Sequence, residues 1–420
     1  MKILLVSPRL PYPIHGGLEL RVYQLFKALG RYHQISLVCT STEDVNADSL
    51  KKLNEVFETV EVFPVTERPK VPTQRRSPAK RFSDLWSPPV DYYDITSGTK
   101  EMRPVIGDML KSSRFDIVHL MGMRMMKYVP DINSYASVCD CVDDYALYCY
   151  RTIKYQKGII GKARWFFDCL TAVSYEKKYA GVFDEITLVS PVDAAVMRRI
   201  SPSARVSVVP NGVDSRYFRS SASKGGEPIL IFTGVMDYEP NVTAMNYFCS
   251  SIFPIVRKEA PDARLLIVGR NPTPEVRHFE ESVPGVTVTG FVDDIREYFD
   301  KSLIYIAPIK SGAGIKNKIL EAWAMEKPVV ATSMSCDGID VSRGQDVLVA
   351  DGADQFAKSV IDLLGDENLR GKLAANARKK VVDKYSWESQ AEKFNRIYER
   401  VLQERESRES KAGNRSPNSE

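Results

Sequence analysis

Short, almost continuously apolar segments alternate with helix-patterned segments along most of the chain, and this alternation constrains the fold more than any other feature. "KILLVS" (2–7), "ISLVCT" (35–40), "DIVHL" (116–120), "SVCDC" (137–141) and "EITLVS" (185–190) each read as a strand buried on both faces. Between the first two, "ELRVYQLFKALG" repeats apolar residues at helical spacing, and Gly30 is its expected stop. The rhythm restarts after Asn211-Gly212 with "ILIFTG" (229–234), "ARLLIVG" (263–269), "VTVTGF" (286–291), "LIYIAP" (303–308), "PVVAT" (328–332) and "VLVAD" (347–351). A βα rhythm that runs twice predicts two parallel, doubly wound α/β domains. A chain of 420 residues has room for both.

The domains are expected over 1–200 and 229–385. A linker over 201–228 ends in the small, polar "SSASKGGEP". A helix over 386–404 is free to join either domain, and 405–420 is expected to be a disordered polar tail.

Several classes are excluded. The first apolar run stops at Ser7-Pro8, too soon for a signal-peptide core. No stretch approaches the roughly 18–20 apolar residues that span a bilayer. Seven scattered cysteines and four histidines give neither a disulfide framework nor zinc-ligand spacing. No metal or cofactor is called for, and a reducing cytoplasm is expected. A formal charge of +4 does not indicate nucleic-acid binding. Two basic segments stand out. "RPKVPTQRRSPAKR" (68–81) has six basic residues and no acidic ones, and "RTIKYQKGIIGKARWFF" (151–167) mixes five basic residues with aromatics and isoleucines. Either they are ordinary solvated surface, or 68–81 and 151–164 meet an anionic membrane.

In open α/β sheets ligands bind beyond the carboxyl ends of the strands. That selects Gly16-Gly17, His119, Asp140, Asp143, Asp144, Gly234, Arg270 and the segment from Lys310 to Lys318. "SGAGIKNK" runs from a strand into a helix: Gly312 and Gly314 admit close backbone approach, the helix start offers free N–H groups, and Lys310, Lys316 and Lys318 add charge. The combination suits a phosphate. It is not a P-loop, because the GxxxxGK[ST] spacing is absent. Glu321 follows in that helix beside Ala322 and Ala324, where its carboxylate is suited to vicinal hydroxyls or to a salt bridge with a nearby lysine. Gly16-Gly17 likewise open a helix after the first strand. The GxGxxG fingerprint is missing, so no nicotinamide or flavin is inferred. Asp140, Asp143 and Asp144 suit hydroxyl binding, base chemistry or helix capping, and His119 suits a substrate bond or a structural one. Pro240-Asn241 reads as a helix start with Asn241 as the cap.

From the double glycine at 16–17 through "PNGVD" (210–214) to "KILEAWAMEKPVVAT", the chain resembles the retaining nucleotide-sugar glycosyltransferases of the GT-B fold, family 4. "FTGVMDYEPN", "GVTVTGFVDDIREYF" and "KSGAGIKNKILEAWAMEKPVV" are similar to sugar transferases of exopolysaccharide gene clusters. The resemblance implies two facing Rossmann-like domains with an interdomain cleft. It implies a nucleoside-diphosphate-sugar donor and a glycan or lipid-linked acceptor, while the cysteine usage and the basic stretches set the expected place in the cytoplasm or on the inner face of the plasma membrane. It assigns Glu321 to the ribose and Gly16 and Gly17 to the neighbourhood of the diphosphate. His119 falls near the family's first-domain active-site histidine, and the backbone at Phe291 and Val292 would meet the base. The chain departs from the pattern at Ala313, where many members carry an acidic residue. It departs again in "TGVMDYEPN", where many carry an Arg and a Lys. The diphosphate charge then falls to Lys310, Lys316 and Lys318. A catalytically silent GT-B subunit and a nucleotide-sugar epimerase are the rival readings.

Overall fold

The computed structural model describes residues 1–42, 45–65, 83–89, 101–156, 158–221, 226–311 and 316–413. They form two units, Met1–Pro210 with Gln390–Glu420, and Asn211–Ser389. Each is built on one parallel sheet with helices, the α/β architecture expected.

In the first unit β1 (Lys2–Ser7), β2 (Gln34–Ser41), β3 (Thr59–Pro64), β4 (Ile117–Met121), β5 (Ser137–Val142), β6 (Glu185–Leu188) and β7 (Val206–Val208) line up in the order β3-β2-β1-β4-β5-β6-β7. The central register sets Leu5 beside Leu37 on one side and His119 on the other. Two of these strands escaped the pattern reading. β3 alternates in burial and β7 is three half-buried residues long, as edge strands are. β7 lies within the stretch expected to be linker. The helices are α1 (Gly17–Leu29), α2 (Ala47–Asn54), α3 (Met102–Ser112), α4 (Tyr145–Tyr155), α5 (Ile159–Tyr179) and α6 (Pro191–Ile200). α1 buries Val22, Leu25, Phe26 and Leu29, the helical period seen in the sequence.

The second unit contains β8 (Ile229–Thr233), β9 (Arg264–Val268), β10 (Val286–Gly290), β11 (Ile304–Ala307), β12 (Val329–Ala331) and β13 (Leu348–Val349), in the order β10-β9-β8-β11-β12-β13. Its helices are α7 (Glu239–Tyr247), α8 (Phe253–Glu259), α9 (Pro274–Ser282), α10 (Arg296–Lys301), α11 (Asn317–Ala324), α12 (Ala353–Gly365) and α13 (Glu367–Tyr385). Phe232, Ile267, Ile306, Phe248, Phe253 and Phe356 form the centre of its core. Gly212 sits where Trp387 presses on the backbone: a Cβ there would lie 2.6 Å from the indole. Close packing, not turn geometry alone, requires glycine in "PNGVD".

The last helix, α14 (Trp387–Gly413), belongs to the first unit from Gln390 onward. Phe394 is fully buried, the Asn395 side chain is 2.6 Å from His33, and Arg400 and Arg405 pair with Glu185 and Asp184 at 2.8 Å. These anchors, with Arg408 reaching Asp184, carry the helix through residues expected to be disordered. Of that tail, 414–420 lie outside the described residues. The seven cysteines are free thiols. Among the described residues no helix is long and apolar enough to cross a membrane.

Three strand exits of the second unit converge on glycine. Gly234, Gly269 and Gly290 follow or end β8, β9 and β10, with φ of 153°, 151° and 73°. Gly234 N–H donates to Val268 O at 3.0 Å, and Gly269 N–H to Gly290 O at 3.1 Å. A Cβ on Gly269 would lie 1.7 Å from Gly234 O. Gly269→Ala is therefore expected to destabilise the second unit by roughly 2–5 kcal/mol, combining positive-φ strain with overpacking. Gly371→Ala, inside α13 with nothing within 4 Å of the new Cβ, should be neutral or slightly stabilising. Urea unfolding of both variants checks the contrast, and equal midpoints would refute it.

Candidate functional site

The order of the second sheet turns back between β8 and β11, which makes their exits the two sides of a topological switch point. The loops after these strands meet. A Cβ on Gly234, just beyond β8, would lie 2.9 Å from Lys318 Nζ and 2.7 Å from Asn241 Nδ2. Asn241 is not the cap of α7. The helix starts at Glu239 after Tyr238, and the buried Asn241 side chain spans the switch point instead. Its Nδ2 donates to Val235 O at 2.8 Å, and its Oδ1 accepts from Lys318 Nζ at 2.7 Å.

Lys318 lies in the first turn of α11, with its ammonium 4.3 Å from the centroid of the Phe232 ring. Burial pulls its pKa down to about 7; Glu321 works against that shift and Lys316 adds to it. Glu321 is one turn further along the same helix. Burial raises its pKa and Lys318 opposes the rise. Ala322 and Ala324 beside it are fully buried, while Glu321 itself keeps some access to solvent. Among the described residues no donor hydrogen-bonds to the Glu321 carboxylate, so both oxygens retain their capacity to accept. Lys316 precedes α11 without a side-chain cap, and Asn317 Oδ1 accepts from Asn211 Nδ2 at 3.2 Å. This links "PNGVD" to the start of α11. The Oγ of buried Ser311 has no partner among the described residues.

The other donor-side candidates fall around this centre. The exposed Lys310 lies over the Tyr247 ring, 3.2 Å from its centroid, and so is directed toward α7. Arg270 O accepts from Met236 N at 2.8 Å and ties the β9 exit to the β8 exit. Phe291 follows Gly290 with 72% of its surface exposed, and Val292 is half-buried. Gly312, Ala313 and Gly314 lie outside the described residues. Among the described residues no group of three or more His, Cys, Asp or Glu is placed to hold a metal ion.

In the first unit Gly16 caps α1, and a Cβ on it would lie 3.0 Å from Glu19 Oε2. Nothing lies within 4 Å of the corresponding position on Gly17. Glu19, which the pattern reading passed over, is buried here. One oxygen takes Arg9 Nη1 at 2.9 Å, and the other has no partner among the described residues. Its only sequence signal was its place two residues after the glycine pair.

His119 and Asp140 are placed differently from the strand-exit expectation. His119 lies two residues inside β4, fully buried, with Nδ1 2.7 Å from Tyr398 OH and its ring between Phe26 and Phe394. Burial lowers its pKa to about 4, against the pull of Asp140, so the ring is neutral near pH 7. Asp140 is also fully buried and accepts from Arg21 Nε at 2.8 Å, while Arg21 reaches Val209 O and Pro210 O at 3.0 and 3.2 Å. Both are shielded because α1 and α14 cover this part of the sheet. Asp143 is half-buried at the β5 exit.

Two sheets of order 3-2-1-4-5-6, the first with one further strand, are the GT-B architecture, and solved structures bear this out at the level of fold. Sucrose-phosphate synthase from Thermosynechococcus elongatus superposes with a TM-score of 0.67 at 16% identity, over 96% of this chain and 99% of that one. Anabaena HepE, solved in complex with UDP, superposes with a TM-score of 0.64 at 13% identity, over 94% and 99%. Residues 227–366 match the model of the glycosyl transferases group 1 family. An uncharacterized 44.6 kDa protein in the cps region of Klebsiella pneumoniae is 20% identical over 397 residues, 91% of this chain and 96% of that protein. Phosphatidyl-myo-inositol mannosyltransferase of Mycolicibacterium smegmatis is 30% identical over 206 residues, 46% of this chain and 51% of that protein. The chain thus has the fold of the GT-B glycosyltransferases, and its second unit carries a glycosyl transferases group 1 domain over residues 227–366.

Asp144 turns out to cap α4. Its carboxylate accepts from Leu147 N at 2.8 Å, while Glu176 accepts from Tyr145 N and Ala146 N at 3.0 and 3.2 Å, and Asp193 from Asp144 N at 3.0 Å. Burial raises the Asp144 pKa to about 7 and, with the nearby Asp144 charge, raises that of Glu176 well above the carboxylate range. Carboxyls whose pKa rises on folding bind extra protons in the native state, so the contribution of Asp144 to stability is lost as pH rises from about 4 to about 7, and that of Glu176 as pH rises from the ordinary carboxylate value through its raised one. Glu176→Gln keeps an accepting oxygen and cannot ionise. Relative to wild type, its melting temperature should fall less as pH rises and lie higher above pH 7. Thermal melts at stepped pH test this, and parallel curves would contradict it.

Proposed function

We propose that the chain transfers a sugar from a nucleoside-diphosphate sugar to a glycan or lipid-linked acceptor, with retention of anomeric configuration, in the biosynthesis of a cell-surface polysaccharide. The observation that carries this reading is the pairing of Glu321 and Lys318 on one face of α11 at the switch point of a group 1 domain. A shielded carboxylate with unused acceptor capacity suits the two hydroxyls of a ribose. A lysine with a lowered pKa, at a helix start, suits the adjoining diphosphate. An anion arriving there favours the charged ammonium and is met by the positive end of the helix dipole. The HepE complex with UDP and the cps-region relative support a nucleotide-sugar donor and a polysaccharide setting.

In this reading the chain's groups act on the leaving diphosphate. Its departure from the anomeric carbon puts negative charge where Lys318, Lys316 and the amides that open α11 can stabilise it. The acceptor hydroxyl bonds to the same face of the sugar and gives up its proton to the departing phosphate oxygen, so no covalent side-chain nucleophile, metal or cofactor is required. Glu321→Ala should weaken UDP and UDP-sugar binding alike, by roughly 1.5–3 kcal/mol, or about tenfold to a hundredfold. Calorimetry tests it, and normal UDP binding by the variant would remove Glu321 from the donor site. Proton NMR of the first-formed product should show the donor's anomeric configuration; an inverted anomer would overturn the mechanism.

A further inference from the structure

α4 and α5 form a helical pair whose apolar surface exceeds what the first unit uses. Ala146, Cys149 and Ala172, with Trp165, Cys169 and Val173, hold the two helices together. On α5 this inner face is matched by an outer one: Ile159, Ala163, Phe166, Phe167 and Leu170 recur at helical spacing and are exposed. Ile159 and Ile160, the first two residues of α5, are 86% and 88% exposed at the turn between the helices. Tyr145, Tyr148 and Tyr150 are exposed on α4. Trp86, 80% exposed, is held beside α5 by neighbouring bonds: Ser174 Oγ donates to Leu85 O, and Lys178 Nζ donates to Ser87 Oγ and Pro88 O. Scattered exposed apolar residues are ordinary, but two adjacent isoleucines this exposed, continued by an outer apolar stripe along the same helix, mark an interaction surface.

We infer that the start of α5 inserts into the interfacial region of an anionic lipid bilayer, with Ile159 and Ile160 as the wedge. Charge selects this occupant. Residues 151–167 contain five basic residues and no acidic one, and Lys162 and Arg164 are exposed beside the isoleucines. Shape agrees with charge. Two adjacent isoleucines this exposed at a helix start form a protrusion, which suits a deformable apolar phase better than a rigid partner. The aromatic residues nearby suit the boundary between headgroups and chains. Attachment of this kind needs no spanning helix and does not depend on the transfer reaction. The second basic stretch, 68–81, lies outside the described residues and plays no part in it.

Flotation with phosphatidylcholine vesicles, with and without phosphatidylglycerol, tests the inference on the full chain. Wild type should float with the anionic vesicles. Ile159→Ser/Ile160→Ser should lose roughly tenfold to a hundredfold in partitioning at both low and high salt. Lys162→Ala/Arg164→Ala should lose affinity chiefly at low salt, where the wild-type electrostatic contribution is largest. Thermal melts matching wild type would show that both variants fold. Failure of wild type to float, or equal flotation of the isoleucine variant, would overturn the inference. So would sedimentation showing a non-floating wild-type dimer that the isoleucine variant dissolves, since the occupant would then be a second copy of the chain.

Discussion

The close approach of three backbones at the exits of β8, β9 and β10 is the constraint on which the second unit depends. Gly234 O occupies the space that a side chain at Gly269 would need, and Lys318 and Asn241 occupy the space above Gly234. With no side chains to separate them, the strand ends come within hydrogen-bond reach of one another. The floor beneath α11 is therefore peptide. Lys318 is pressed between that floor and Phe232, and loses hydration as a result. The electrostatic character of the site, a lysine drawn toward neutrality beside a carboxylate drawn the same way, follows from the missing side chains.

The first unit resolves its own crowding with charge. Arg21 is fully buried, yet its guanidinium meets a carboxylate and two carbonyls, from Asp140, Val209 and Pro210. One side chain thus fastens α1 to β5 and to the segment leaving β7. Such a pair gives limited net stability while intact, and becomes costly once either member is lost. His119 and Tyr398 complete the polar layer under α14. These residues share the chemistry of an active site and have the burial of a core.

That distinction explains what was legible in the sequence. Strands buried on both faces announce themselves as apolar runs, so the central strands of both sheets were readable. β3 and β7 were not, because an edge strand needs only part of one face to be apolar. The segment from Lys310 to Lys318 and Glu321 stood out because glycines, lysines and a carboxylate have few structural reasons to gather at a strand exit. Of these, Lys318 and Glu321 share one helix face, whereas Lys310 turns to Tyr247. Asn241 read as a cap because helix starts favour asparagine, but the contact that decides its role comes from a lysine 77 residues away. Tertiary partners of that kind leave no local mark. His119 and Asp140 read as strand-exit residues because covering helices are invisible in a strand's own sequence.

The return of α14 has a consequence for how the chain is made. Residues 1–210 leave the ribosome first but lack the helix that covers His119 and contributes Phe394 and Tyr398. Everything from Asn211 to Ser389 is synthesised before that helix. The second unit can thus be finished as an independent body while the first waits with an apolar strip uncovered. Order of synthesis and order of completion are reversed, so the first unit spends longer as a nascent chain in need of protection.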